Sequence, residues 1–238
     1  MTSDHHQARP TNYVLDYTSH ALGSVLASAG KTQVIVTCSH LEEVPSWLRP
    51  NKSEQGWVTA EYNLLPSSTQ QRHKRERSRI SGRTSEIQRI LSRSLRAAVD
   101  LTQIPGQTLI FDCDVILADG GTRTTSLNGA MVALILAISR LQKRGKCASN
   151  TLKDLIGAIS IATHDKGLIV DPDYNHDYSA NADITVVMNS KQQLVEIQGC
   201  AEKQAFSPTT LQEIVALAGV SLAPTFDYLE RLKDEYLA

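Results

Sequence analysis

The run Asp112-Cys-Asp-Val-Ile-Leu-Ala-Asp-Gly-Gly-Thr-Arg-Thr-Thr-Ser126 constrains the fold more than any other part of the chain. It reads as a strand over 109–116, a glycine turn carrying Thr122 and Arg123, and the start of a helix. Thr124 to Ser126 are polar capping candidates, and 127–144 has the apolar content of a long buried helix. Unpaired N–H groups and a partial positive charge make a helix start a ready anion site. Gly120 and Gly121 let the backbone approach a ligand, and Arg123 adds a forked cation suited to phosphate. An ordinary strand-to-helix turn with good caps has the same local sequence, so this run alone leaves both readings open.

The order of elements narrows the architecture. Strand-like stretches at 12–17, 23–27, 33–37 and 57–63 are separated by Gly, Ser, Asn and Pro. A helix over 84–99 places Ile87, Ile90, Leu91, Leu95 and Ala98 at helical spacing. In the second half, strands are expected at 156–163, 167–170, 183–188 and 194–198. A helix then starts at Ser207-Pro208, a cap followed by proline in the first turn, and an amphipathic segment runs over 224–237. Strands followed by helices, twice over, give an α+β class with an internal duplication of βα units. No linker or low-complexity tract divides the halves, so 1–238 is expected to form a single domain.

The net charge of -1 hides a segregation. Residues 72–96 carry nine Lys/Arg against Glu76 and Glu86, while the remainder is acidic. Such a patch fits an anionic partner, although a solvated helix face would carry the same charges. Cys38, Cys113, Cys147 and Cys200 are widely spaced without a CxxC pair, which argues for a reducing compartment and against a zinc site. Residues 1–10 contain no apolar leader, and 127–138 is too short for a membrane span and is followed by Arg140 and Lys143. A cytoplasmic protein is expected, with no membrane partner.

Four clusters carry chemistry. Gly121-Thr122-Arg123 is the first. Ser81-Gly-Arg-Thr84 puts Arg83 just before a second helix start, so two arginines could converge on one phosphate. The third, Asp171-Pro-Asp-Tyr-Asn-His-Asp-Tyr-Ser-Ala-Asn-Ala-Asp183, supplies hard oxygen ligands suited to Mg²⁺, or equally the turn residues of a polar loop. The fourth, Arg72-His-Lys-Arg-Glu-Arg-Ser-Arg79, reads as a mobile basic loop able to grip a nucleic-acid backbone. Together they point to phosphoryl transfer on a polynucleotide. The chain has no GxxxxGK[ST], GxSxG or HExxH motif.

From Arg9 to Gly219 the sequence resembles RNase PH, the family of phosphate-dependent 3′-exoribonucleases that trim precursor transfer RNA. The likeness rests on His20-Ala-Leu-Gly-Ser-Val-Leu26, Gly56-Trp-Val-Thr-Ala-Glu-Tyr62, Ser81-Gly-Arg-Thr-Ser-Glu-Ile-Gln-Arg89, Ser94-Leu-Arg-Ala-Ala-Val-Asp-Leu101 and Asp119-Gly-Gly-Thr-Arg-Thr124. Asp183-Ile-Thr-Val-Val-Met188 and Val195-Glu-Ile-Gln-Gly199 follow in the same order. The resemblance implies an RNase PH-type fold and a homohexameric ring built as a trimer of dimers. It implies that Arg83, Gly121, Thr122 and Arg123 bind inorganic phosphate, the co-substrate. Asp177 and Asp183 would be the catalytic carboxylates placing Mg²⁺ or Mn²⁺, and Arg72 and Arg75 would guide RNA, with no DNA partner. The chain departs from the family pattern at Ser67, where an arginine is usual. It departs again in a basic loop shorter by two residues, at His176 in place of glutamate, and at Ile184-Thr185 in place of Met-Asn. His176 is expected to be a solvated loop residue.

Overall fold

The computed structural model describes residues 7–48, 54–76 and 79–237. The first half contains β1 (Thr11–Leu15), β2 (Gly23–Ala29), β3 (Thr32–Leu41), β4 (Trp57–Leu64), α1 (Gly82–Ala98), β5 (Thr108–Leu117) and α2 (Thr122–Lys143). The second contains β6 (Ile156–His164), β7 (Gly167–Val170), α3 (Tyr174–Ser179), β8 (Ala182–Asn189), β9 (Leu194–Ala201), α4 (Pro208–Ser221) and α5 (Ala223–Leu237). Strands β1-β2-β3-β5-β4 form one sheet in that order, and β7-β6-β8-β9 form the other. Among the described strands only β4 and β5 pair in parallel, joined by the crossover through α1.

Helix α2 lies between the sheets, touching β2 and β3 on one side and β6 on the other. From Thr122 through Ser139 every residue is buried except Arg123. A helix apolar on all sides is stable only when covered on all sides, and here the two sheets, α1 and α5 cover it. Its length and composition would let it cross a membrane, which corrects the expectation that no stretch is long enough. Its burial accounts for that composition as a core helix. Each fully buried Leu or Ile contributes about 1.5–3 kcal/mol, so this helix anchors the core.

Two boundaries differ instructively. The strand expected at 33–37 continues to Leu41, because pairing with β5 carries it through Ser39 and His40, which have no apolar pattern to announce them. The stretch 171–183 contains α3, started by Asp173, whose side chain accepts from the His176 N–H. Aspartate there is a helix cap rather than only a turn residue.

Candidate active site

Residues at the ends of four elements meet at one edge of the molecule. Helix α2 opens on Gly121, which adopts the left-handed conformation (φ 61°), and no side chain caps the helix. Thr124 and Thr125 are not caps, contrary to the sequence reading. Their hydroxyls donate back to the Gly121 carbonyl, at 2.9 and 2.8 Å. The helix therefore starts at Thr122, two residues before the first expected cap, and presents its first N–H groups with no side-chain oxygen across them.

That turn is fixed by Arg9 and Thr32, which lie outside the four clusters, together with Asp171 from the third. Arg9 makes a two-pronged contact with Asp171, Nε to Oδ2 at 2.9 Å and Nη2 to Oδ1 at 2.7 Å. Its Nη1 donates to the Asp119 carbonyl at 2.6 Å. Thr32 Oγ donates to the Gly120 carbonyl at 2.6 Å and accepts from the Asp119 N–H at 2.9 Å. Gly120 and Gly121 both have positive φ, and a Cβ at Gly121 would stand 2.7 Å from Arg9 Nη2. Only glycine fits a turn held this closely. Arg9 sits 162 residues from Asp171, so no local pattern could have paired them.

Helix α1 begins differently. Ser81 caps it, accepting from the Thr84 N–H. Glu76 accepts from the Ser81 N–H at 3.0 Å and from the Thr84 hydroxyl at 3.1 Å. An acid inside the basic stretch thus secures this helix start, and the same contacts hold its carboxyl below the usual range. Arg83 lies in the first turn, not before it, and is exposed.

The carboxylates face these two starts. Arg123 Nη2 lies 3.5 Å from Asp183 Oδ2. Burial raises the Asp183 carboxyl to about 6, against the pull of Arg123 and Arg83 and with the push of Asp177. Burial also raises Asp177, against Arg123 and Arg83. Arg83, Arg123, Asp177 and Asp183 therefore form one electrostatic cluster. Tyr62 joins it, donating to Thr122 Oγ at 2.8 Å and feeling the charge of both arginines.

Arg72 and Arg75 are exposed outside this cluster, and Arg75 offsets part of the burial-driven rise of the Asp114 carboxyl. Arg77 and Ser78 of the basic stretch lie outside the described residues. Ser67 is exposed on the turn after β4. His176 is not simply solvated: its Nδ1 is 2.7 Å from Asp173 Oδ1, and its ring meets His164 edge-on.

Asp183 Oδ1 is buried without a hydrogen-bond partner. An orphaned carboxylate oxygen beside a second carboxylate fits a divalent cation, which would restore the charge that burial disfavours. Among the described residues no three His, Cys, Asp or Glu side chains group to enclose a metal. Mg²⁺ commonly takes one or two carboxylates and completes its shell with water and phosphate oxygens, so two suffice.

Residues 7–139 match domain 1 of the 3′ exoribonuclease family, and residues 154–220 match domain 2. The chain belongs to the RNase PH family. A Ribonuclease PH from Crocosphaera subtropica is 44% identical over 216 residues, covering 91% of this chain and 89% of that protein. Among solved structures, rice (Oryza sativa) Rrp46 superposes with a TM-score of 0.77 at 17% identity, over 96% of this chain and 97% of the other. An archaeal exosome core gives 0.77 at 18%, over 97% and 89%. The Archaeoglobus fulgidus exosome with RNA bound to its active site gives 0.75 at 17%, over 98% and 91%. At these identities the solved structures establish the RNase PH-type fold and nothing finer. The turn and the carboxylate pair lie within the family-matched segments.

Proposed function

We propose that the chain is a phosphorolytic 3′-to-5′ exoribonuclease that trims RNA, precursor transfer RNA among its substrates, and releases nucleoside diphosphates. The observation that carries this reading is the Arg123–Asp183 pair, Nη2 to Oδ2 at 3.5 Å, at the uncapped start of α2, with Asp177 and Arg83 within electrostatic reach.

Phosphorolysis requires two anions to approach each other. Arg83, Arg123, Thr122 and the first N–H groups of α2 hold inorganic phosphate and offset its charge. One phosphate oxygen attacks the terminal phosphodiester. A P–O–P linkage forms and the bond to the RNA 3′ oxygen breaks. The proton of the attacking hydrogen phosphate neutralises that 3′ oxygen, so charge and protons balance. Excess diphosphate drives nucleotide addition instead. Asp177 and Asp183 would hold Mg²⁺ or Mn²⁺, which when bound stabilises charge on the scissile phosphate. Tyr62 orients Thr122, and the Arg9–Asp171 pair keeps the glycine turn in place.

Arg72 and Arg75 would guide the RNA backbone towards the site. The family likeness also supports a homohexamer, a trimer of dimers, working in the cytoplasm. Light scattering on the purified protein reads the oligomer directly.

The decisive experiment incubates the protein and Mg²⁺ with an RNA bearing a few extra 3′ nucleotides, with and without phosphate. Shortening that needs phosphate and yields diphosphates is the expected result. Shortening without phosphate, yielding monophosphates, would overturn the mechanism. Binding without turnover would mark a noncatalytic RNA-binding subunit.

A further inference from the structure

Helix α3 carries more than a carboxylate. Tyr174 and Tyr178 lie one turn apart on it, their rings stacked with centroids 6.1 Å apart and planes inclined by 24°. They are 48% and 78% exposed. No residue of α3 is buried, so neither ring contributes to the core. Asp177 is on the same helix, about 60° around the axis from Tyr174 and about 100° from Tyr178. The tyrosine face thus borders the carboxylate face.

Lys203 completes the surface. Its Nζ donates to the carbonyls of Tyr178 at 3.3 Å and Ser179 at 2.8 Å, at the C-terminal end of α3. A cation there is favoured by the helix dipole, and the two carbonyls hold an exposed lysine at the end of the helix that carries Tyr178. Paired aromatic planes next to a cation are what single-stranded RNA binds: bases stack on the rings and phosphates meet the charge.

We infer that Tyr174, Tyr178 and Lys203 form a stacking platform for the bases just 5′ of the scissile bond. The inference rests on the exoribonuclease reading for the identity of the ligand. With the terminal phosphodiester at Asp177, the preceding nucleotides leave across the tyrosine face. Every base has a π-face, so the platform reads no sequence. It requires an unpaired tail.

The test places 2-aminopurine two nucleotides from the 3′ end of a single-stranded tail. Binding to the full-length protein without phosphate is followed by fluorescence. Stacking quenches the reporter, and Tyr178→Ala and the Tyr174→Ala/Tyr178→Ala double variant lose the quench while Tyr178→Phe keeps it. In turnover assays the alanine variants raise the KM for RNA about tenfold, the scale of one lost base–aromatic stack. Their kcat and KM for phosphate are unchanged. A quench and KM retained in the double variant would overturn the platform. So would an altered oligomeric state accompanying the KM change, which would make the surface a subunit contact. Because the quench needs no turnover, a protein that quenches through the tyrosines yet fails to shorten RNA would sink the phosphorolysis reading and leave the platform standing.

Discussion

Helices α1 and α2 both bring an arginine to the same carboxylates, yet they start in opposite ways. The α1 start is closed: Ser81 caps it and Glu76 braces both Ser81 and Thr84. The α2 start is open, with Gly121 in a left-handed conformation, no side-chain cap, and two threonine hydroxyls turned away to a carbonyl. At a closed start the cap hydroxyl already occupies one of the first N–H groups, here that of Thr84, so fewer are left for a ligand beside the arginine. An open one lends its arginine, its N–H groups and the positive end of its dipole. Burial follows the same division, since Arg83 is exposed and Arg123 is 23% exposed among buried neighbours.

The contrast predicts unequal arginines. Arg123→Ala should lower phosphate-dependent turnover by about 10³-fold, on the scale of about 4 kcal/mol from a preorganised electrostatic contact, with RNA binding retained. Arg83→Ala should lose distinctly less, because water screens an exposed guanidinium. Equal losses in kcat/KM for phosphate would break the distinction between the two starts.

Arg9→Ala tests what holds the open start in shape. It takes the guanidinium from Asp171, whose side chain is 7% exposed, and leaves it the N–H of residue 9. Removing one member of such a pair costs about 3 kcal/mol, visible as a lower urea midpoint together with a weaker phosphate KM. A stability loss with phosphate binding untouched would mean that the turn holds itself.

Asp183 sharpens the comparison through pH. Its folded carboxyl is raised to about 6, above the unfolded value near 3.9, so its contribution to stability is fully present below about pH 4 and is lost as pH rises through 6. In metal-free protein at pH 8, Asp183→Asn should therefore be more stable than wild type by about 2 kcal/mol, while losing turnover. The gain should shrink as the pH falls from about 6 towards 4. An asparagine variant less stable at pH 8 would show that Arg123 more than offsets the cost of burial.

Ser81→Ala should have the smallest effect, about 1 kcal/mol of stability from a lost cap, with a modest fall in turnover through Arg83. A large loss of phosphate affinity would mean that the closed start contributes more than a side chain.

The same asymmetry explains what the chain discloses in its sequence. The body of α1 was legible because its apolar residues repeat at helical spacing, although its start at Gly82 was placed two residues late, with Arg83 outside it. The body of α2 was legible for its unbroken apolar content, but its first turn was not. Glycine as the helix opener carries no capping signature, and the threonines that resemble caps point elsewhere. Asp177 and Asp183 stood out as carboxylates, whereas α3 did not, because a six-residue helix built on Asp173 has the composition of a loop. Arg9, Thr32 and Tyr62 gave no local sign at all. They act on the site across 60 or more residues of chain, and only the folded sheets bring them there.

Placing the proposed phosphate site on the first turn of α2 ties the survival of that site to that of the whole protein. The residues that follow Arg123 form the packing between both sheets, so this turn cannot open far without letting water into the interior. On heating, phosphate binding should persist until the cooperative transition and vanish with it, rather than decay beforehand. The carboxylate on α3, a helix with nothing buried, has no such guarantee. The early casualty of mild denaturation is therefore the placement of Asp177 against Arg123 and Asp183, while the first turn of α2 endures to the end.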